Sequence, residues 1–211
     1  MYTLYYSPGA ASLCVHLALL EIGAPYRLEL VDFHQRAQRS PAYLKLNPQG
    51  VVPTLLIDGE PYGESAALLM MLADRHPEAR LGPPPGSARH HQWYQWLVHH
   101  STMLGASYRY WFYPPDLGAA EHPATVRAAL QARIEAVWAR LDAQLAARGP
   151  YLLGEELSMP DLQLLMYLRW SRNMPRPALE WPALKRFATL MRARASWQRL
   201  CDLEKLTEWR A

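Results

Sequence analysis

The 211-residue chain is half hydrophobic and 19% charged, which gives it enough apolar side chain for a sizeable core and sets it apart from disordered chains. Its 22 basic and 19 acidic residues balance to +3, too even to argue for nucleic acid, which would need basic residues concentrated on one face. Cys14 and Cys201 form no disulfide framework, no Cys-x-x-Cys pair and no metal spacing, in keeping with a reducing cytosol; no apolar run nears the roughly 20 residues of a membrane helix, and no signal peptide is expected.

Tyr2 to Tyr6 is a short β-prone run ended by Ser7-Pro8-Gly9. From Ala11, the spacing of Leu13, Leu17 and Leu20 predicts a helix, with Gly23 placed to stop it. Tyr26, Leu28 and Leu30 alternate with polar residues, as in a half-buried strand. Ser40-Pro41 reads as an N-cap with proline at the first helical position, opening a helix to about Leu46. Asp58-Gly59 lies between Thr54–Ile57 and Glu60–Tyr62, a strong hairpin signal. A helix is expected from about Ser65 to His76, ended by Pro77. The order β-α-β-α-β-β-α over residues 1–77 predicts a thioredoxin-like α/β domain with its first two strands parallel.

Residues 78–86, with three consecutive prolines between two glycines, read as a linker. Residues 87–211 read as an all-helical domain. Its first helical face runs from Trp93 to Trp111, and a long helix is expected over 123–148, before Gly149-Pro150. Three shorter helices are expected near 160–173, 182–194 and 196–206.

Three segments of the first domain carry chemistry. In Asn47-Pro-Gln-Gly-Val-Val52-Pro53-Thr54, a proline directly before a strand fits a cis Val52–Pro53 bond. Such a turn leaves the N–H and C=O of Val52 for an extended peptide to pair with. Glu64-Ser65 opens the following helix. Ser65 reads as an N-cap, the helix end suits a carboxylate, and Glu64 suits an ammonium group, together matching an α-amino acid head. The turn Tyr6-Ser-Pro-Gly-Ala-Ala-Ser12 sets hydroxyls at a helix N-terminus, where a thiolate is stabilised. One hydrogen bond to a charged group (about 1.5–3 kcal/mol) plus the helix end (about 0.3–1) suffices to lower a thiol pKa by about two units.

These three segments, in this order, resemble the glutathione transferase superfamily, and the resemblance spans the chain. It implies glutathione as co-substrate, with no metal, held by Val52 and Pro53 at its cysteinyl part and by Glu64 and Ser65 at its γ-glutamyl end. It places the glycyl end near His34, Gln35 or Arg36. A further mark is Gly154-Glu-Glu-Leu-Ser158-Met-Pro-Asp161, a capping box expected to stabilise a core helix. Pro8-Gly9-Ala10-x-Ser12-Leu13 and Leu168-Arg169-Trp170 look most like the bacterial beta class, but that class's cysteine falls at Ala11 and its histidine near Gly105. A hydroxyl is therefore the expected thiolate partner, Ser12 first and Tyr6 second.

The resemblance further implies conjugation of the thiolate to a small hydrophobic electrophile, as in detoxification, in a cytoplasmic homodimer with no nucleic-acid or membrane partner. Tyr108, Trp111 and Trp170 are candidates for the second-substrate pocket, although aromatic residues at helical spacing also serve as core. A glutathione-dependent isomerase or dehalogenase, or a non-catalytic interaction protein, would share the fold. Cys14 reads as a small buried hydrophobe, and His90, His91, His99 and His100 include no i,i+4 pair for a metal.

Overall fold

The computed structural model describes residues 1–210. By its contacts the chain forms two compact units, Met1–Gly82 together with Met191–Ala211, and Pro83–Leu190. The sequence-based division at 86/87 differs by leaving 191–211 with the helical half.

In the first unit, β1 (Tyr2–Tyr6), α1 (Leu13–Ile22), β2 (Tyr26–Leu30), α2 (Pro41–Leu46), β3 (Thr54–Ile57), β4 (Glu60–Tyr62) and α3 (Ser65–Arg75) follow the expected order. The sheet runs β2-β1-β3-β4. β1 and β2 are parallel, in register from Tyr2 opposite Tyr26 to Tyr6 opposite Leu30. β3 is antiparallel to β1, with Leu4 opposite Leu55, and β4 is antiparallel to β3. The hairpin turn has φ of 54° at Asp58 and 97° at Gly59, the positive pair that a two-residue turn matching strand twist requires.

Helix α1 is buried along every residue from Leu13 to Leu19. An all-round apolar helix of this kind belongs inside rather than on a surface. Leu4, Leu55, Leu68 and Leu69 are fully buried in the same unit. Each such leucine contributes about 1.5–3 kcal/mol relative to an exposed position. Ser40 caps α2 by accepting the Tyr43 N–H at 3.2 Å, with Pro41 at the first turn as expected. The segment after 191 adds α9 (Ala195–Leu203), which buries Trp197, Leu200 and Cys201.

The second unit contains α4 (Ala88–His99), α5 (Ala106–Phe112), α6 (Ala124–Arg148), α7 (Met159–Trp170) and most of α8 (Pro182–Arg192). A π-helical stretch, His100–Gly105, joins α4 to α5 and keeps the expected helical face from Trp93 to Trp111 continuous. Trp93, Tyr108 and Trp138 are among its largest fully buried side chains. The Ser158–Asp161 capping box is formed at the start of α7: Asp161 Oδ2 accepts the Ser158 N–H at 2.9 Å and its hydroxyl at 2.7 Å. Asp161 Oδ1 also accepts the Leu152 N–H at 2.8 Å, tying the preceding loop to the helix. No helix among the described residues is long and apolar enough to cross a membrane.

Candidate functional site

The turn from β1 into α1 is held from inside the first unit. Gly9 sits at φ 67°, a conformation suited to glycine, and donates its N–H to Glu204 Oε2 at 2.8 Å. Ser12 is fully buried. Its hydroxyl accepts the Ser7 N–H at 3.2 Å and donates to the Ser7 C=O at 3.3 Å, so it closes the turn. Tyr6 is half-buried, its ring centroid 6.2 Å from that of His16. Partial burial, with the Glu204 charge second, pushes the Tyr6 phenol above its ordinary range, so the hydroxyl keeps its proton at neutral pH. That hydroxyl has no hydrogen-bond partner among the described residues.

Behind this turn lies a buried polar network that the sequence did not disclose. His16 Nδ1 donates to Glu204 Oε1 at 2.7 Å, and His16 Nε2 lies 2.9 Å from the Tyr26 hydroxyl. Both His16 and Glu204 side chains are fully buried. One carboxylate thus holds a helix side chain and the Gly9 amide together. Its position 195 residues beyond Gly9 left no local pattern to read.

The Val52–Pro53 peptide is cis, as expected. The N–H and C=O of Val52 take no hydrogen-bond partner among the described residues. A nearly buried main chain with both groups unpaired is rare and suits an extended peptide laid alongside it. Val52 packs with Val31 and Tyr43, and Phe33 and Ala37 join the cluster. The exposed segment His34–Arg36 between those two residues therefore runs beside the turn. Asp32 Oδ1 shapes it by accepting the N–H of His34 at 2.8 Å and of Gln35 at 3.3 Å.

At the start of α3 the structure corrects the expected cap. The N-cap is Glu64, not Ser65, and it makes no side-chain cap bond. Ser65 is the first helical residue, and its hydroxyl donates to the Ala11 C=O at 3.0 Å. Glu64 has φ 65° and ψ 105°, a conformation that costs a non-glycine residue on the order of 1–3 kcal/mol. Its side chain is therefore left to another partner. The first turn of α3 carries no acidic residue, so its free amides keep their positive end. A Cβ on Gly63 would lie 3.9 Å from the Pro53 C=O, which places the entry to α3 against the cis turn. Ser65 and Gly63 thus draw the three sequence-identified segments into one region.

A hollow of about 540 Å³ lined by Glu21, Arg194 and Arg199 also lies in the first unit. It contains none of these segments and is crossed by an Arg194–Glu21 ion pair at 2.7 Å. Cys14 is buried, and burial pushes its thiol up to about 12, consistent with a packing role.

In the second unit, the Trp170 ring meets Tyr108 edge-on at 5.6 Å and Phe112 at 6.1 Å. Tyr108 itself is fully buried and stacked on Tyr167 at 6.0 Å. Trp111 is buried as well, with the Arg127 guanidinium over its ring at 4.2 Å. A Cβ at Gly105 would lie 2.8 Å from the Tyr167 hydroxyl, so a histidine there would have to displace that ring. His100 is fully buried, and burial, with His99 second, pushes its imidazole down to about 3, which keeps it neutral.

Residues 10–75 match the glutathione S-transferase N-terminal domain model, and residues 124–211 match the C-terminal domain model. Glutathione S-transferase GstA of Escherichia coli O157:H7 is 32% identical over 170 residues, covering 80% of this chain and 81% of its own. A glutathione transferase homologue from Sulfitobacter, solved with bound glutathione, superposes with TM-score 0.87 at 28% identity, covering 98% of this chain and 99% of its own. A beta-class transferase from Sphingomonas chungbukensis superposes with TM-score 0.85 at 27% identity, covering 97% of this chain and all of its own.

Proposed function

The chain belongs to the glutathione S-transferase family, near its bacterial beta class, and from that premise we propose that it conjugates the glutathione thiolate to small hydrophobic electrophiles. The observation that carries the reading is the unpaired Val52 main chain beside a helix N-terminus whose first residue, Ser65, is tied to the thiol-side turn at Ala11. In this reading Val52 and Pro53 take the cysteinyl part, Glu64 and the α3 amides with Ser65 take the γ-glutamyl end, and Gln35 lies toward the glycyl end.

The thiolate partner is a hydroxyl of the β1–α1 turn. Ser12 already gives its proton to Ser7, whereas the Tyr6 proton has no acceptor among the described residues, which favours Tyr6. The electrophile is taken by the helical unit, with Tyr108, Trp111 and Trp170 the candidate aromatic residues; of these, Trp170 is the one left partly exposed. The protein works as a cytoplasmic homodimer, a state supported by Tyr94 and Val98 standing exposed on one face of α4.

Thermal unfolding with and without glutathione tests the reading. At 100 times the dissociation constant the fold gains about 2.7 kcal/mol, and Glu64→Ala combined with Ser65→Ala removes the gain. Thiolate absorbance near neutral pH and turnover on a panel of electrophiles, including isomerase and dehalogenase substrates, then define the chemistry. Tyr6→Phe should raise the pKa of bound glutathione more than Ser12→Ala does. Absence of binding at millimolar glutathione refutes the function. A monomer by light scattering refutes the assembly.

A further inference from the structure

The cis turn is backed by a network of polar side chains. The Val51 C=O receives two donors, the Tyr43 hydroxyl at 2.6 Å and Asn47 Nδ2 at 2.9 Å. Asn47 Nδ2 also donates to Thr54 Oγ1 at 3.1 Å, and Thr54 Oγ1 lies 2.9 Å from the Tyr43 hydroxyl. Since the Tyr43 proton goes to Val51, the Thr54 proton goes to Tyr43. Each donor of the three side chains then has one acceptor, and the network runs in one sense with no proton left over. Asn47 Oδ1 accepts the Gln49 N–H at 3.1 Å, so the amide cannot turn over without losing bonds at both ends. Tyr43, Asn47 and Thr54 are all buried, where such bonds are strongest and an unpaired member is costly.

Val51 is the residue directly before Val52, so two donors on its carbonyl fix the 51–52 peptide plane. That same plane carries the Val52 N–H. Thr54 begins β3 immediately after Pro53 and holds the other side of the turn. We infer that Tyr43, Asn47 and Thr54 are positioning residues for glutathione, fixing the peptide through which Val52 pairs with the cysteinyl part of the tripeptide. The inference rests on the proposed function. It separates the hydroxyls that orient the glutathione backbone from the hydroxyl proposed for the sulfur chemistry, Tyr6 being favoured, so the two groups should fail differently when removed.

Tyr43→Phe and Thr54→Val each remove a hydroxyl with little change of shape, and Thr54→Ser restores one. The measurements on the full chain are the glutathione dissociation constant by calorimetry, the kinetic constants for glutathione and for a chloronitroarene electrophile, and the melting temperature. Tyr43→Phe and Thr54→Val should each weaken glutathione binding about 5- to 10-fold, the size expected for one hydrogen bond. KM for glutathione should rise with the dissociation constant, while kcat and the electrophile KM stay within about twofold. Thr54→Ser should recover most of the affinity. A merely structural network would lower the melting temperature and leave the dissociation constant of the folded protein unchanged, and that result overturns the inference. Failure of both Tyr43→Phe and Thr54→Val to fold also overturns it, because the network would then be a folding element. If the wild-type chain binds no glutathione, the proposed function itself falls.

Discussion

Glu204 gives the sharpest test of what holds the β1–α1 turn. Glu204→Leu removes a carboxylate that accepts from both the part-buried Gly9 N–H and the buried His16 Nδ1–H. Each orphaned buried donor costs on the order of 1–3 kcal/mol, and breaking a buried pair by deleting one partner costs about 3–5 kcal/mol. The two routes agree, so a loss of about 3–5 kcal/mol is expected in urea unfolding followed by tryptophan fluorescence, with an unchanged m-value. Glu204→Gln should lose less, because its amide oxygen still accepts one of the two donors and the His16 tautomer can adjust to its N–H group. Adding His16→Leu to Glu204→Leu should recover part of the loss, since no imidazole Nδ1 is then buried without its acceptor. The activity readout should move with the loop: Glu204→Leu should weaken thiolate formation even where the fold persists. A Glu204→Leu variant within about 0.5 kcal/mol of wild type would refute the assignment of this carboxylate as the turn's anchor.

Asp161 makes stability depend on pH. Burial outweighs its hydrogen bonds and raises its carboxyl from 3.8 to about 6 in the fold. A raised carboxyl contributes stability below its unfolded pKa and loses that contribution as pH rises through about 6, so an Asp161→Asn variant should show a weaker decline between pH 4 and 6 in paired denaturation curves. Gly105→Ala, normally worth about 1 kcal/mol of helix propensity, should instead destabilise by about 1–3 kcal/mol, because the new methyl meets the Tyr167 hydroxyl. Tyr167→Phe in the same chain should recover part of that loss. Ser40→Ala should cost about 1 kcal/mol in thermal unfolding through loss of the α2 cap.

What was legible in the sequence acts over a few residues. Ser40-Pro41, Asp58-Gly59, Val52-Pro53 and Ser158-x-x-Asp161 each carry their own geometry, and the structure contains each of them as read. The order of strands and helices followed because the period of the apolar residues switches cleanly between elements. Ser65 shows where that reasoning stops. By propensity it is the better cap, but its hydroxyl is drawn to the Ala11 carbonyl 54 residues away, and Glu64 takes the cap position at a positive φ instead. The segment after 191 shows the same limit. Its helical pattern continues from the residues before it, and only the burial of Trp197, Leu200 and Cys201 and the reach of Glu204 assign it to the first unit. The hydrogen bonds joining Tyr43, Asn47 and Thr54 were equally hidden, since each reads locally as an ordinary helix, turn or strand residue.

The reach of Glu204 back to Gly9 also sets an order of events during synthesis. The sheet and α1 to α3 are complete in sequence by Arg75, and all of Pro83–Leu190 is made before the anchoring carboxylate exists. At roughly 5–20 residues per second, Glu204 follows Gly9 out of the ribosome by about 10–40 s. For that interval neither the His16 imidazole nor the Gly9 N–H has Glu204 to pair with. The β1–α1 turn therefore gains this anchor only after all of Pro83–Leu190 has been made.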